Sequence, residues 1–393
     1  MVDPIAKVFD DFDRGMISRR TLLQAVGFAA VAAPLRRTIA QGSCGGDNAA
    51  LPRCSKTAVR DPFPATGWKT AYFDHFKLQC VEPRVEAAYY ATLMNWKVRS
   101  DDGNKIMMDI GDTLGAVEIR GGFVAPSAPP VQTPPPAPAT PPPGGDSAGR
   151  GGRGGRAGGG GGAGRVQRMS WDGMCWGIDN WDTKKVEAEL TKRGLNPVAD
   201  HQGRDFQSFH VKDPDGFDVQ ISNGNKNNRR KGAATGALPA PAPFAPTTWK
   251  TVWLDHISFG VSDYKESAKF YELLLGWKPG DDEGSQNTME ISPAFGGIIV
   301  RGGNRFAPGF GEGRGGQPFV RRASMGHISF GITGWDSATV KAELDKRGLT
   351  ARADTGGRGD ILTAAYQSYH TTTPNGFDLQ ISNRLTRQAG GGG

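Results

Sequence analysis

Residues 68–122 align without a gap to residues 249–303, an offset of 181, with about a third of the positions identical. Asp74 and His75 meet Asp255 and His256, Trp96 meets Trp277, and Arg120-Gly121-Gly122 meets Arg301-Gly302-Gly303. The match resumes further on, where Val186–Leu195 corresponds to Val340–Leu349 and Gly216–Asn223 to Gly376–Asn383. A duplicated unit accounts for this, and a fixed internal period constrains the architecture before any residue is given a role. The copies are expected at 67–223 and 248–384. A chain of 393 residues is long enough for two such cores.

Each copy is itself double. His-Ile-Ser-Phe-Gly occurs at 256–260 and again at 327–331, both times followed by a turn and a helix-like segment. In the first of these, His256, Ser258 and Gly260 alternate with Ile257, Phe259 and Val261, a period of two that places the polar set on one sheet face and the apolar set on the other. Asp74 and Asp255 then belong to the face opposite the histidines, where bracing a turn is the simplest role. From Asp263 to Leu275 the apolar spacing changes to three and four, with Gly276 as a stop, which predicts an amphipathic helix. Short strands at 288–292 and 297–301 close the module, so its order is strand, helix, strands. Trp96, Trp181, Trp277 and Trp335 recur at equivalent places and are expected to pack in cores or at helix ends.

A net charge of +7 raises nucleic acid as a partner, but many cations sit where no core can form. Arg150, Arg153, Arg156 and Arg165 lie in a proline-then-glycine tract at 124–165, and Arg229, Arg230 and Lys231 lie between the copies at 224–247. Such compositions do not bury enough apolar surface to order themselves, so the first reads as an insertion and the second as a linker; no nucleic-acid partner is expected. Residues 1–40 read as a twin-arginine signal: Ser18-Arg19-Arg20-Thr21-Leu22-Leu23 opens an apolar stretch that ends at Pro34 and is too short to cross a bilayer. Export by the twin-arginine machinery to the periplasm or medium is the expectation, with no stable membrane span in the mature chain. Residues 41–66 form a flexible lead, where Cys44 and Cys54 are near enough for a disulfide, and 385–393 a polar tail; Cys80 and Cys175 fall in apparent strands.

This pattern resembles the vicinal-oxygen-chelate superfamily, which includes glyoxalases, bleomycin-resistance proteins and type I extradiol dioxygenases. The stretch Tyr369-His-Thr-Thr-Thr-Pro-Asn-Gly-Phe-Asp-Leu-Gln380 is similar to the closing signature of the dioxygenases, in which Thr-Pro-x-Gly-Phe precedes a metal-binding Glu. The resemblance implies an α+β fold of two tandem domains, each of paired βαβββ modules in a half-open barrel around a metal. It implies ligands from the first and last strands of each module. Position by position these are His256, His327 and Gln380 in the second copy, with Ile299 in the remaining place. In the first copy the same places hold His75, Glu118, Gly173 and Gln220, so His75, Glu118 and Gln220 form a weaker set. Two departures stand out: the signature's Glu is Gln380, and its active-site Tyr is His370.

Iron oxygenases use two imidazoles and one carboxylate, and an amide in place of the carboxylate removes a charge and a hard donor. Amide oxygens do serve as ligands in glyoxalase-like and epimerase-like members. The resemblance therefore implies a divalent metal, Fe2+ for a dioxygenase and Zn2+, Ni2+ or Mn2+ otherwise, chelated by adjacent oxygens of a small-molecule substrate and stabilising the charge that develops on them. His370 is the candidate acid or base, although it and His210 precede equivalent turns and bracing those turns is the simpler role for both. Two other readings stay open: a metal-free protein that sequesters a ligand in its cleft, as bleomycin-resistance members do, and a duplicated scaffold whose sites have decayed.

Overall fold

The structure is a computed structural model that describes residues 59–124, 168–201, 205–229, 237–302, 323–357 and 359–386. The expected export signal, Cys44 and Cys54, all but the first residue of the insertion, and most of the tail lie outside the described residues.

The first copy runs β1 (Thr70–Cys80), α1 (Pro83–Leu93), β2 (Lys97–Asp101), β3 (Lys105–Asp109) and β4 (Ala116–Arg120), then β5 (Met169–Ile178), α2 (Thr183–Lys192), β6 (Val198–Ala199), β7 (Ser208–Lys212) and β8 (Asp218–Ser222). A short helix α3 (Lys226–Arg229) follows. The second copy runs β9 (Thr251–Gly260), α4 (Tyr264–Leu275), β10 (Lys278–Asp282), β11 (Gln286–Glu290) and β12 (Gly297–Arg301), then β13 (Ser324–Ile332), α5 (Ser337–Lys346), β14 (Arg352–Asp354), β15 (Ser368–Thr372) and β16 (Asp378–Ser382). Each copy folds into one eight-stranded sheet, ordered β2-β3-β4-β1-β5-β8-β7-β6 and β10-β11-β12-β9-β13-β16-β15-β14. The two halves of each sheet meet at an antiparallel pair of first strands, β1 with β5 and β9 with β13, flanked by parallel last strands. This is the α+β tandem of paired βαβββ modules that the resemblance implies, in the two copies that the repeat marks out.

Local chemistry explains the elements. The Asp263 side chain accepts from the backbone N–H groups of Lys265 and Glu266 at the start of α4, and Gly276 ends it at φ 70, a left-handed turn that costs glycine nothing. In β9 and β13 the apolar set Ile257, Phe259, Ile328 and Phe330 is fully buried, which leaves the histidines on the other face.

The copies are bound by reciprocal contacts at repeat-equivalent positions. Trp96 Nε1 donates to Thr251 Oγ1 at 3.0 Å and Trp277 Nε1 to Thr70 Oγ1 at 2.8 Å. Tyr90 stacks on Trp96 at 4.6 Å and Tyr271 on Trp277 at 4.7 Å. Each copy's closing turn also holds the other copy's first helix: Asn375 Nδ2 donates to Glu86 Oε2 at 2.9 Å, and Tyr271 OH donates to Asp213 Oδ2 at 3.1 Å. One apolar cluster runs through both copies. The segment expected as a linker is partly structured, since Arg229 of α3 donates to Asp74 Oδ2 at 2.8 Å and lies 3.8 Å over the Phe206 ring.

Because each tryptophan completes the other copy's core, Trp96→Ala and Trp277→Ala are each expected to destabilise the whole chain by about 3–5 kcal/mol. Denaturant unfolding should retain a single transition; two transitions, only one of them shifted, would show independent copies. A second expectation concerns Asp213, whose carboxyl is pushed up to about 6, chiefly by burial. A raised carboxyl contributes stability that is full below its unfolded value near 3.8 and is lost as pH rises through 6, on the order of 3 kcal/mol. The equivalent Thr373 accepts from Phe377 N at 3.1 Å, as Asp213 Oδ1 accepts from Phe217 N at 2.8 Å, without a charge. Asp213→Thr should therefore abolish this acid-favouring component of the stability profile between pH 4 and 7.

Candidate metal centre

In the β9–β13 pair, His256 stands opposite Ser329 and His327 opposite Ser258, so the histidines are diagonal neighbours on one face. Their Nε2 atoms converge to 3.0 Å, and which nitrogen carries the proton depends on the tautomer. Burial, reinforced by His256 and His370, pushes His327 down to about 2; the ring is held neutral, the form that ligates metals. On the next strand Gln380 stands opposite Ser329. Its Oε1 is buried with no hydrogen-bond partner. The structure thus brings His256, His327 and Gln380 to one face around two converging nitrogens and an orphaned amide oxygen. Ile299, opposite Ser258, occupies the fourth place on that face.

Why the amide stands there is answered by what surrounds its nitrogen. Gln380 Nε2 donates to Ser368 Oγ at 2.7 Å and to Tyr366 OH at 3.1 Å, with Asp354 Oδ2 at 3.5 Å. Both hydroxyls have already committed their protons, Ser368 to Asp354 O at 2.8 Å and Tyr366 to Asp255 Oδ2 at 3.0 Å. A carboxylate at position 380 would find acceptors where the amide finds partners.

Asp255 itself departs from the expected alternation. The β9–β13 register passes from Ser329–His256 to Phe330–Leu254, and Asp255 is the extra residue of a bulge, which re-aims its side chain. It accepts from Ser329 Oγ and Tyr366 OH, both at 3.0 Å, and lies 3.4 Å from His256 Nδ1. The carboxylate therefore belongs to the histidine network rather than to a turn. Burial opposes its charge, but His256, Ser382 and Tyr366 outweigh it and hold the carboxyl below its usual range.

His370 does not brace the turn either. Its Nδ1 lies 3.0 Å from Asp378 Oδ1 and its Nε2 3.2 Å from Asp354 Oδ2. Burial works against its proton, yet the two carboxylates prevail and raise its affinity for it. The ring stands against His327 at 4.9 Å, and His327, His370 and Asp378 can also present a ligand atom each within 4.8 Å of one another. His210 has the same surroundings, 2.7 Å from Asp218 and 3.2 Å from Asp200.

The first copy's set is differently placed. His75 is 1% exposed and bonded through Nδ1 to Asp74 at 2.5 Å. Its neighbours among potential ligands are Asp74 and Cys175. Glu118 lies 2.5 Å from Arg120 and 3.7 Å from Lys105. Lys77, where the second copy has Ser258, lies 3.5 Å from Asp218. A Cβ added at Gly173 would stand 2.9 Å from the Asp218 backbone oxygen, so the missing histidine has no room. Buried atoms without a hydrogen-bond partner persist at His75 Nε2 and Gln220 Oε1, and the charge of Lys77 acts on His75.

Two open grooves, about 410 Å3 beside Trp68 and Asp182 and about 230 Å3 beside Leu195 and Lys212, lie elsewhere on the first copy. Asp354, Asp378, Tyr366 and Arg301 were not singled out from sequence; the aspartates had a signal, since Asp200 and Asp218 repeat them around His210.

No protein-family profile matches the chain, and no curated protein does. Solved structures do. A variant of homoprotocatechuate 2,3-dioxygenase from B. fuscum is 14% identical with a TM-score of 0.50, covering 86% of this chain and 76% of that one. The 2,3-dioxygenase LapB from Pseudomonas sp. KL28 is 11% identical with a TM-score of 0.50, covering 80% and 92%. The Mn(II)-bound glyoxalase from Novosphingobium aromaticivorans is 13% identical with a TM-score of 0.49, covering 80% and 82%. The chain has the fold of vicinal-oxygen-chelate proteins.

Gln380→Glu places a charge among committed acceptors, so the metal-free variant is expected to be less stable by about 1–3 kcal/mol. Added Fe2+ should restore more stability to the variant than to the wild type, since a ligand that binds only the folded state stabilises it. Thermal unfolding with and without metal checks both signs.

Proposed function

We propose that this chain is a metal-dependent enzyme of the vicinal-oxygen-chelate type, with a divalent cation held in the second copy by His256 Nε2, His327 Nε2 and Gln380 Oε1. The observation that carries the reading is the 3.0 Å convergence of the two Nε2 atoms, with the buried, unpartnered amide oxygen of Gln380 contributed by the neighbouring strand. Those three donors fit a divalent ion of intermediate hardness, Fe2+, Mn2+, Zn2+ or Ni2+. Such an ion supplies Lewis acidity toward two adjacent substrate oxygens.

The protein's own groups prepare that chemistry. Asp255 fixes His256 through Nδ1 and so turns Nε2 toward the site. Tyr366 and Ser368 hold the amide nitrogen of Gln380, which leaves its oxygen free. Three neutral donors leave the cation's full charge for the substrate, which favours deprotonated oxygens. His370, whose proton affinity Asp354 and Asp378 raise, is the group that can hold a proton for an oxygen gaining charge. Ring opening of a catechol and isomerisation or lysis of an oxygenated substrate are the reaction types compatible with this set. The arginine pair at Arg19-Arg20 supports action after export, in the periplasm or outside the cell.

Since the second copy's core is completed by the first, the full chain is the object to test. Purified without oxygen and exposed to Fe, Mn, Zn and Ni salts, it should retain close to one metal ion per chain, and His256→Ala with His327→Ala should retain essentially none. Equal retention in wild type and double variant would sink the metal reading. In that case, tight binding of a small ligand by metal-free protein would favour a sequestering role.

A further inference from the structure

The two copies differ at one position in a way that exposes a charge. Arg120 and Arg301 are repeat equivalents at the ends of β4 and β12. In the first copy Arg120 is paired with Glu118, two residues earlier on the same strand face, at 2.5 Å. The equivalent of Glu118 in the second copy is Ile299, and the guanidinium has lost its internal counter-ion. Arg301 retains one bond, from Nε to Ser258 Oγ at 3.0 Å; no carboxylate pairs with it among the described residues.

Its position is set by register. Gly297, Ile299 and Arg301 stand opposite His256, Ser258 and Gly260 in the parallel β12–β9 pair, so alternation puts Arg301 on the histidine face. Ser258, which fixes its Nε, stands directly opposite His327. Arg301's charge is felt at His327, where it disfavours protonation after burial and the two neighbouring histidines. The side chain is open to solvent; burial lowers its proton affinity, and the charges of Glu283 and Asp354, neither of them paired with it, act the other way. Its terminal nitrogens have no partner among the described residues, and a guanidinium so placed offers its fork to a carboxylate.

Resting on the proposed metal site, we infer that Arg301 is a substrate-binding residue that selects compounds carrying a carboxylate beside the two metal-chelating oxygens. The anion replaces, from the substrate, the counter-ion that Glu118 supplies within the first copy. Ile299 lies between the guanidinium and the histidines along the strand, and presents an apolar surface to the carbon skeleton that joins the two polar ends.

The test uses the full chain loaded with Zn2+, which is redox-inert, and calorimetric binding of catechol, 2,3-dihydroxybenzoate and 3,4-dihydroxybenzoate. At least one dihydroxybenzoate should bind about tenfold or more tightly than catechol, the scale of one charge-assisted forked contact. Arg301→Met should bring that ratio near one, with Zn2+ still bound. Arg301→Lys, which keeps the charge but not the fork, should retain part of the preference, and Arg120→Met should retain all of it. Equal binding of the three ligands by the wild type, or an undiminished preference in Arg301→Met, overturns the inference and leaves the metal site standing. Zn2+ bound with no affinity for any of the three overturns it likewise. Loss of both metal and ligand binding in the wild type removes it together with the proposed function.

Discussion

Antiparallel pairing of β9 with β13 is the interaction on which the second copy's chemistry depends. Fully buried Ile257, Phe259, Ile328 and Phe330 hold that pairing from the core side. A slip of one residue would turn them to solvent and both histidines into the core. With the register held, two imidazoles from different modules meet Nε2 to Nε2 without any contribution from a loop. The bulge at Asp255 then adds what regular pairing cannot, a carboxylate on the same side as the histidine next to it in sequence.

The duplication serves as an internal comparison. Features held in common, such as the tryptophan and threonine pairs, the aspartate-flanked His210 and His370, and the amide of Gln220 or Gln380 on a serine hydroxyl, maintain the scaffold. Features held by one copy define what that copy can do. The first has Lys77, Glu118 and Gly173 where the second has Ser258, Ile299 and His327, and it fills its concave face with ion pairs. The second has no charged group at Ser258 and Ile299, and Ser258 accepts from Arg301 instead. Phe206, under Arg229, is replaced by Tyr366, whose hydroxyl joins Asp255 to Gln380. The same scaffold thus yields one self-neutralised face and one face with converging donors.

The Thr373–Gly376 turn has a role its motif does not announce. Asn375 bonds to Glu86 of the first copy's helix, and Phe377 packs on Trp171 at 5.0 Å. The segment that resembles an active-site signature is thus also a docking element between copies, and Gln380 inherits its position from a strand anchored at that turn.

Much of this was legible in residues alone. Period-two alternation placed His256 and His327 on the polar face, glycine and aspartate marked the helix ends, and the offset of 181 set out the copies, because these signals are local or repeat along the chain. Alternation failed at Asp255, since a bulge is a property of a strand pair and leaves no trace in one strand. Nor did sequence distinguish a turn-bracing His370 from one held between Asp354 and Asp378, which reach it from neighbouring strands. Residue order alone establishes the duplication, the strands that carry the histidines and an amide rather than a carboxylate at position 380. Three-dimensional packing settles that the first copy's carboxylates are taken up by lysine and arginine, that Gln380's nitrogen faces acceptors and that Arg301 has no carboxylate partner among the described residues. Each of those depends on which side chains from distant strands come within hydrogen-bonding reach, a matter of three-dimensional register rather than of order along the chain.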